Sequence, residues 1–173
     1  AKTDGLILDV CAAPGGKSAL LAHRFPDARI QAVELSAKRI TRLCENLSRL
    51  RCDNVTILQA DGLNLPLDAA CADAVMLDAP CSASGILRRH PDAKFLHDQQ
   101  DVEAMAELQK KLINEALRVL KTDGEMVYAV CSIHVQENEA VVEPVAGLIS
   151  QQRLIPAEEH DGFFFARIKG SDV

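Results

Sequence analysis

Apolar positions along the chain switch repeatedly between strand-like runs and helical spacing. Residues 5–12 (GLILDVCA) form a short apolar run that closes on Ala13, Pro14, Gly15 and Gly16. Residues 17–25 then take helical spacing, with Leu20 and Leu21 inward. Residues 29–35 (RIQAVEL) predict a second strand, 37–50 a helix with Ile40, Leu43 and Leu47 on one face, and 55–60 a third strand. Past Pro66, residues 74–78 read as a fourth strand. Residues 101–121 read as a long amphipathic helix burying Val102, Met105, Leu108, Leu112, Ala116 and Leu120. Gly124 stands where glycine commonly stops a helix. The strand 125–130, a helix over 136–149 and strands at 153–155 and 163–168 complete the pattern.

Strands alternating with helices predict an α/β fold: a mostly parallel, seven-stranded sheet with helices on both faces, because parallel strands need crossovers that cover the sheet. A length of 173 residues with 48% apolar content suits one domain over 1–173 without an internal boundary. No run of about 18 apolar residues and no leader-like start is present, so a soluble, cytoplasmic protein without a membrane partner is expected, as a monomer. The six cysteines lack the C-x-x-C spacing of a zinc site, so no metal is expected and the thiols read as free. A net charge of −6 argues against an independent nucleic-acid binder. It is compatible with a catalytic domain that receives nucleic acid from a basic neighbour. The main basic cluster is Arg88, Arg89, His90 and Lys94, which suits a solvated loop as well as a phosphate contact.

Sheets of this kind bind ligands beyond the carboxyl ends of their strands. The unusual residues fall there: 9–16, Glu34, Asp61, 78–81 and Cys131. Gly16, Lys17 and Ser18 match the end of a phosphate loop, but Cys11 replaces its first glycine and Pro14 removes an amide donor, so a phosphotransferase fits poorly. Gly15 and Gly16 fit better as a close backbone approach to a ligand. Glu34 then stands about 20 residues on, where a carboxylate meets a ribose diol, and Asp61 can accept from an exocyclic amino group. This pattern favours an adenosine-type cofactor, and NAD remains open at this point. Cys81 and Cys131 both follow apolar strands, which places two thiols and Asp78 at one pocket mouth. Cys44, Cys52 and Cys71 read as small apolar residues.

The runs DVCAAPGGKS, DAPCSASG, and YAVCSI followed by ENEAVVEP resemble the signature motifs of the RNA cytosine-5 methyltransferases of the Nol1/Nop2/Sun family. The stretch 85–92 and the run 161–164 are similar to the bacterial Sun/Fmu (RsmB-type) branch that acts on 16S ribosomal RNA. The resemblance implies a Rossmann-like class I methyltransferase fold, S-adenosyl-L-methionine as cofactor, RNA as partner, and separate RNA-binding modules in relatives. This chain would then be a catalytic domain lacking an N-terminal RNA-binding region.

The resemblance also implies residue roles. Cys131 matches the nucleophile and Cys81 the cysteine of product release, although motifs alone leave open which cysteine attacks. Asp78 matches the acid that contacts the target base, with Lys17 beside it. The cofactor set comprises Glu34, Asp61, Cys11, Ala12, Ala13, Pro14, Gly15, Gly16, Lys17, Arg39, Gly62 and Asp78. Arg88, Arg89 and His90 match a basic stretch toward RNA. Val130 departs from the pattern, which has threonine before the nucleophile. A non-catalytic cofactor-binding scaffold for RNA biogenesis is the other expectation.

Overall fold

The computed structural model describes residues 4–96 and 98–171. Five parallel strands form most of one sheet: β1 (Leu6–Val10), β2 (Arg29–Glu34), β3 (Val55–Gln59), β4 (Ala72–Asp78) and β5 (Leu120–Val130). A hairpin of β6 (Leu148–Leu154) and β7 (Phe163–Lys169) joins it antiparallel, giving the order β3-β2-β1-β4-β5-β7-β6. The helices are α1 (Gly16–Arg24), α2 (Ala37–Arg49), α3 (Ala93–Leu96), α4 (Gln99–Val119) and α5 (Glu139–Val142). The α/β prediction and the seven strands hold, with one antiparallel hairpin at the edge. β1 has β2 on one side and β4 on the other, so strand order reverses there, which is where open parallel sheets form a ligand crevice.

Two apolar cores sandwich the sheet. On one face α1 and α2 cover β1 and β2, with Ile7, Ile30, Ala32, Leu43 and Leu47 buried. On the other, α4 and α5 cover β4, β5 and β7 through Val75, Leu77, Leu112, Ile113, Val141 and Phe164. Removing each such side chain from water contributes about 1.5–3 kcal/mol, so these faces dominate the fold's stability. Asp98 and Asp101 form a reciprocal capping box that starts α4, with both backbone-to-carboxylate bonds at 3.0 Å.

Five local expectations are corrected. Leu20 is 68% exposed; α1 turns its small face, Ser18, Ala19 and Ala22, inward, which lets the helix approach the sheet closely. α4 ends at Val119, and Leu120 opens β5 rather than closing the helix. Gly124 therefore lies within a strand, where a Cβ would stand 2.9 Å from two backbone oxygens. The helix expected over 136–149 shrinks to a 3-10 turn and four-residue α5, because Pro144 offers no amide and Gly147 (φ 86°) turns the chain. The sixth strand consequently begins at Leu148, not 153. Among the described residues no helix is long and apolar enough to cross a membrane.

Candidate active site

The carboxyl ends of β1, β2, β4 and β5 surround two adjoining cavities. Past β1 the chain turns through Cys11, which is held at φ 64°, and Gly15, at φ 102°. Left-handed backbone costs a side-chain-bearing residue energy, and glycine at 15 avoids that cost. A Cβ on Gly16 would meet nothing within 4 Å, so only Gly15 is required by the turn itself.

Glu34, 3% exposed at the end of β2, accepts from the Ser36 amide at 2.9 Å and the Ala13 amide at 3.3 Å. Arg39 pairs with it at 3.3 Å and donates to the Ala13 carbonyl at 2.7 Å, which fastens the turn after β1 to the turn after β2. Glu34, Arg39, Asp61 and Gly62 line a cavity of about 300 Å³ whose other walls include Val33, Leu35, Leu63 and Leu112. Asp61 is exposed and accepts from the Leu63 amide at 2.9 Å. Carboxylates beside aliphatic walls suit a nucleoside, with hydroxyls on its sugar and an amino group on its flat base. Ala12 is buried and Pro14 exposed in the connecting turn.

A second cavity, about 260 Å³, adjoins the first through Cys11, Arg39 and Pro80, and is lined by Ala13, Asp78, Cys81 and Cys131. The Lys17 ammonium meets the Asp78 carboxylate at 2.6 Å. The Cys81 and Cys131 sulfurs lie 3.3 Å apart, one past β4 and one past β5, because the parallel register sets Asp78 opposite Ala129. Their shared hydrogen bond holds the Cys131 thiol below the usual range, and the Lys17 charge assists. The same bond, together with burial, pushes Cys81 up. Burial and the neighbouring Glu34 charge push Cys11 up to about 12, which leaves it a poor nucleophile.

The basic stretch is arranged differently. Arg88 donates to the Glu158 carbonyl at 2.8 Å, and Arg88 and Arg89 meet buried Asp161 at 3.3 and 2.7 Å. Both guanidinium groups thus tie the segment after β4 to the segment before β7, while His90 is exposed. The side chain of Lys94 lies outside the described part of the structure.

Sequence reasoning missed one buried acid and placed a second at a strand end without assigning it a role. Glu137 is fully buried and accepts from Ser82 and Ser132, the neighbours of the two cysteines. The run E-N-E behind the second cysteine was its only trace. Asp9 is fully buried inside β1 and accepts from the Ser18 hydroxyl; a lone acid within LILDV was the signal.

Burial raises the Asp9 carboxyl from 3.8 to about 6, opposed by the Ser18 hydrogen bond. The folded protein therefore holds a proton that the unfolded chain releases from about pH 4 upward. The resulting stabilisation is complete below pH 4 and is lost as pH rises through 6, by up to about 3 kcal/mol. Urea unfolding of wild type and Asp9→Asn at pH 4.5 and 7 checks this: the wild type loses more stability over that interval. Equal losses in the two proteins would refute the assignment.

Fold and strand-end geometry together define a class I S-adenosylmethionine-dependent methyltransferase architecture. The family described as 16S rRNA methyltransferase RsmB/F matches residues 1–149, and the chain belongs to that family. It is 40% identical over 179 residues to Ribosomal RNA small subunit methyltransferase B of Salmonella arizonae, covering 94% of this chain and 41% of the relative. The Escherichia coli protein of the same description is 38% identical over 180 residues, with 94% and 41% covered. The chain thus spans about two-fifths of the length of these curated relatives. Among solved structures, NSun6 from Pyrococcus horikoshii with SFG superposes with a TM-score of 0.88 at 29% identity, covering 99% of this chain and 49% of that one.

Proposed function

We propose that this domain methylates carbon 5 of a cytosine in RNA, with 16S ribosomal RNA as substrate, through a temporary bond between Cys131 and carbon 6. The observation that carries the reading is the pair of sulfurs 3.3 Å apart at the lip of a cavity that opens into the Glu34 crevice. The names of the relatives, ribosomal RNA methyltransferases, support the substrate class.

The crevice residues fit S-adenosylmethionine. Glu34 suits the ribose hydroxyls and Asp61 the adenine amino group, and the turn 11–16, whose Cys11 and Ala13 line the second cavity, suits the methionine side, with Lys17 paired to Asp78 beside it. Bound there, the cofactor supplies an electrophilic methyl group. Carbon 5 of cytosine is a weak nucleophile, and the residues of this chain activate it. The Cys131 thiolate forms a bond to carbon 6, and the electron pair of the 5,6 double bond becomes available at carbon 5. Asp78, held at 2.6 Å by the Lys17 ammonium, acts on the base once it carries a proton: it then donates a hydrogen bond to ring nitrogen 3 as negative charge develops in the ring. After methylation the carbon 5 proton must leave, the sulfur–carbon bond breaks and the double bond returns. Cys81 is the base for that proton, directly or through water. Once Cys131 is bonded to carbon, the hydrogen bond that most strongly holds the Cys81 proton is gone, so that proton passes to water first and the Cys81 thiolate is then free to take the carbon 5 proton. The target base must leave its stack to reach the cavity, which favours single-stranded or flipped RNA, with Arg88, Arg89 and His90 as the candidate RNA contacts.

Label transfer from S-adenosylmethionine to 16S ribosomal RNA, mapped by bisulfite sequencing, tests the proposal. A protected cytosine is expected, and labelled RNA without one overturns cytosine-5 chemistry. Glu34→Ala is expected to weaken S-adenosylhomocysteine binding by about 10–100-fold in calorimetry, because charge-assisted hydrogen bonds are lost. Unchanged affinity would remove Glu34 from the cofactor site.

A further inference from the structure

We propose that the buried carboxylate of Glu137 is a positioning residue that clamps the loops of Cys81 and Cys131 together, so that the two thiols stand at reacting distance. The inference rests on the two-cysteine reading above and adds to it the group that sets their separation.

Glu137 is fully buried in the 3-10 turn after β5, and the donors to its carboxylate among the described residues are neutral. The Ser82 amide donates to Oε1 at 2.8 Å and the Ser82 hydroxyl to Oε2 at 2.5 Å. The Ser132 hydroxyl also donates to Oε2 at 2.5 Å, and the Gln109 amide of α4 donates to Oε1 at 3.2 Å. Burying a carboxylate is costly unless its oxygens are saturated with hydrogen bonds, and the four contacts here saturate them. That cost is tolerated where the cysteine loops meet.

The donors flank the two sulfurs. Ser82 follows Cys81, and the same Gln109 nitrogen donates to the Pro80 carbonyl at 2.8 Å, so Cys81 is pinned on both sides. Ser132 follows Cys131, and its carbonyl accepts from Asn138 at 3.1 Å. The Tyr128 hydroxyl donates to the Glu137 carbonyl at 2.7 Å, which anchors the clamp to β5. Neither loop can shift without breaking a bond to one shared carboxylate. Its charge adds a second effect: it is among the causes that keep the proton on Cys81, which leaves the thiolate to Cys131.

Cross-linking measures the geometry without RNA. An azodicarboxamide oxidant converts the two thiols to a disulfide and is itself reduced to the hydrazine, taking up both protons. The rate at which the 81–131 bridge forms in the full-length protein, followed by peptide mass spectrometry, therefore reports proximity. Glu137→Gln keeps the side-chain shape but sets an amide NH2 against hydroxyl and amide donors. It is expected to slow bridging about tenfold and to lower kcat about 100-fold, with KM for RNA and S-adenosylhomocysteine affinity unchanged, as misplacement by about 1 Å does. Ser82→Ala and Ser132→Ala loosen the same clamp with less risk to folding, and each is expected to slow bridging by a smaller factor. Should Glu137→Gln not fold, slower bridging in both serine variants supports the clamp and wild-type bridging in both refutes it. A folded Glu137→Gln protein with wild-type bridging and kcat overturns the proposal. If wild-type protein bridges quickly, Glu137→Gln bridges slowly and neither methylates RNA, the function proposed above fails while the clamp stands.

Discussion

Cys131→Ala is expected to abolish both methyl transfer and covalent capture of RNA containing 5-fluorocytosine, whereas Cys81→Ala is expected to permit capture and accumulate the adduct. Fluorine at carbon 5 cannot leave as a proton, so a reaction that begins by sulfur addition stalls with protein bound to RNA. Removing a nucleophile that carries the first bond-forming step costs on the order of 10⁴-fold or more in rate. The two thiols divide in this direction because their shared hydrogen bond lowers Cys131 and raises Cys81. Denaturing gels of labelled RNA provide the measurement. Capture by Cys131→Ala and none by Cys81→Ala would exchange the two roles, and capture by both single variants would remove both cysteines from the addition step.

Gly85→Ala carries the largest expected effect on the scaffold. Gly85 stands where three segments touch: its amide donates to the Cys131 carbonyl at 2.9 Å, and its carbonyl accepts from the Gly162 amide at 2.8 Å. A Cβ there would lie 2.2 Å from the Gly162 oxygen and 3.0 Å from the Cys131 oxygen, both backbone atoms with little room to retreat. The segments must separate, breaking one or both hydrogen bonds. Overpacking and lost bonds together predict a destabilisation of about 2–4 kcal/mol. For a domain of this size that lowers the melting temperature by roughly 5–15 °C. Because the displaced carbonyl belongs to Cys131, kcat should fall about 10–100-fold as well. Calorimetry with single-turnover methylation tests both parts, and Gly16→Ala, whose Cβ faces open space, is the stability comparison. A Gly85→Ala protein as stable as Gly16→Ala would mean that this crossing is looser than the distances indicate.

Several elements were legible locally because burial on one side writes a period into the chain. Leu43 and Leu47 recur at helical spacing and lie in the core, and the strand around Leu77 reads as a continuous apolar run over 74–77 because both sheet faces are covered. Leu20 misled because spacing alone does not say whether leucines or alanines face the sheet. Residues 136–149 carried helical spacing, but the α-helix keeps only Glu139–Val142, and the chain turns into β6, where Leu148 pairs with Ile168 of β7. Gly124 looked like a helix stop, yet part of its need for hydrogen over Cβ comes from the backbone of Asp73, far from it in sequence, beside that of Lys121. Glu137 was the largest omission: its partner Ser82 is 55 positions away, and nothing local marks a charged residue as buried.

What the chain encoded by itself was the order of strands and the placement of Cys81, Cys131, Glu34 and Asp61 at their carboxyl ends, since parallel pairing brings such ends to one edge. What tertiary packing decided was the 3.3 Å between two sulfurs 50 positions apart and the closing of Arg88 and Arg89 onto Asp161. Periodicity records which face of a segment leaves water; separations of a few ångströms depend on the register of β4 against β5 and on the buried acid between their loops, and neither is a property of any short stretch of sequence.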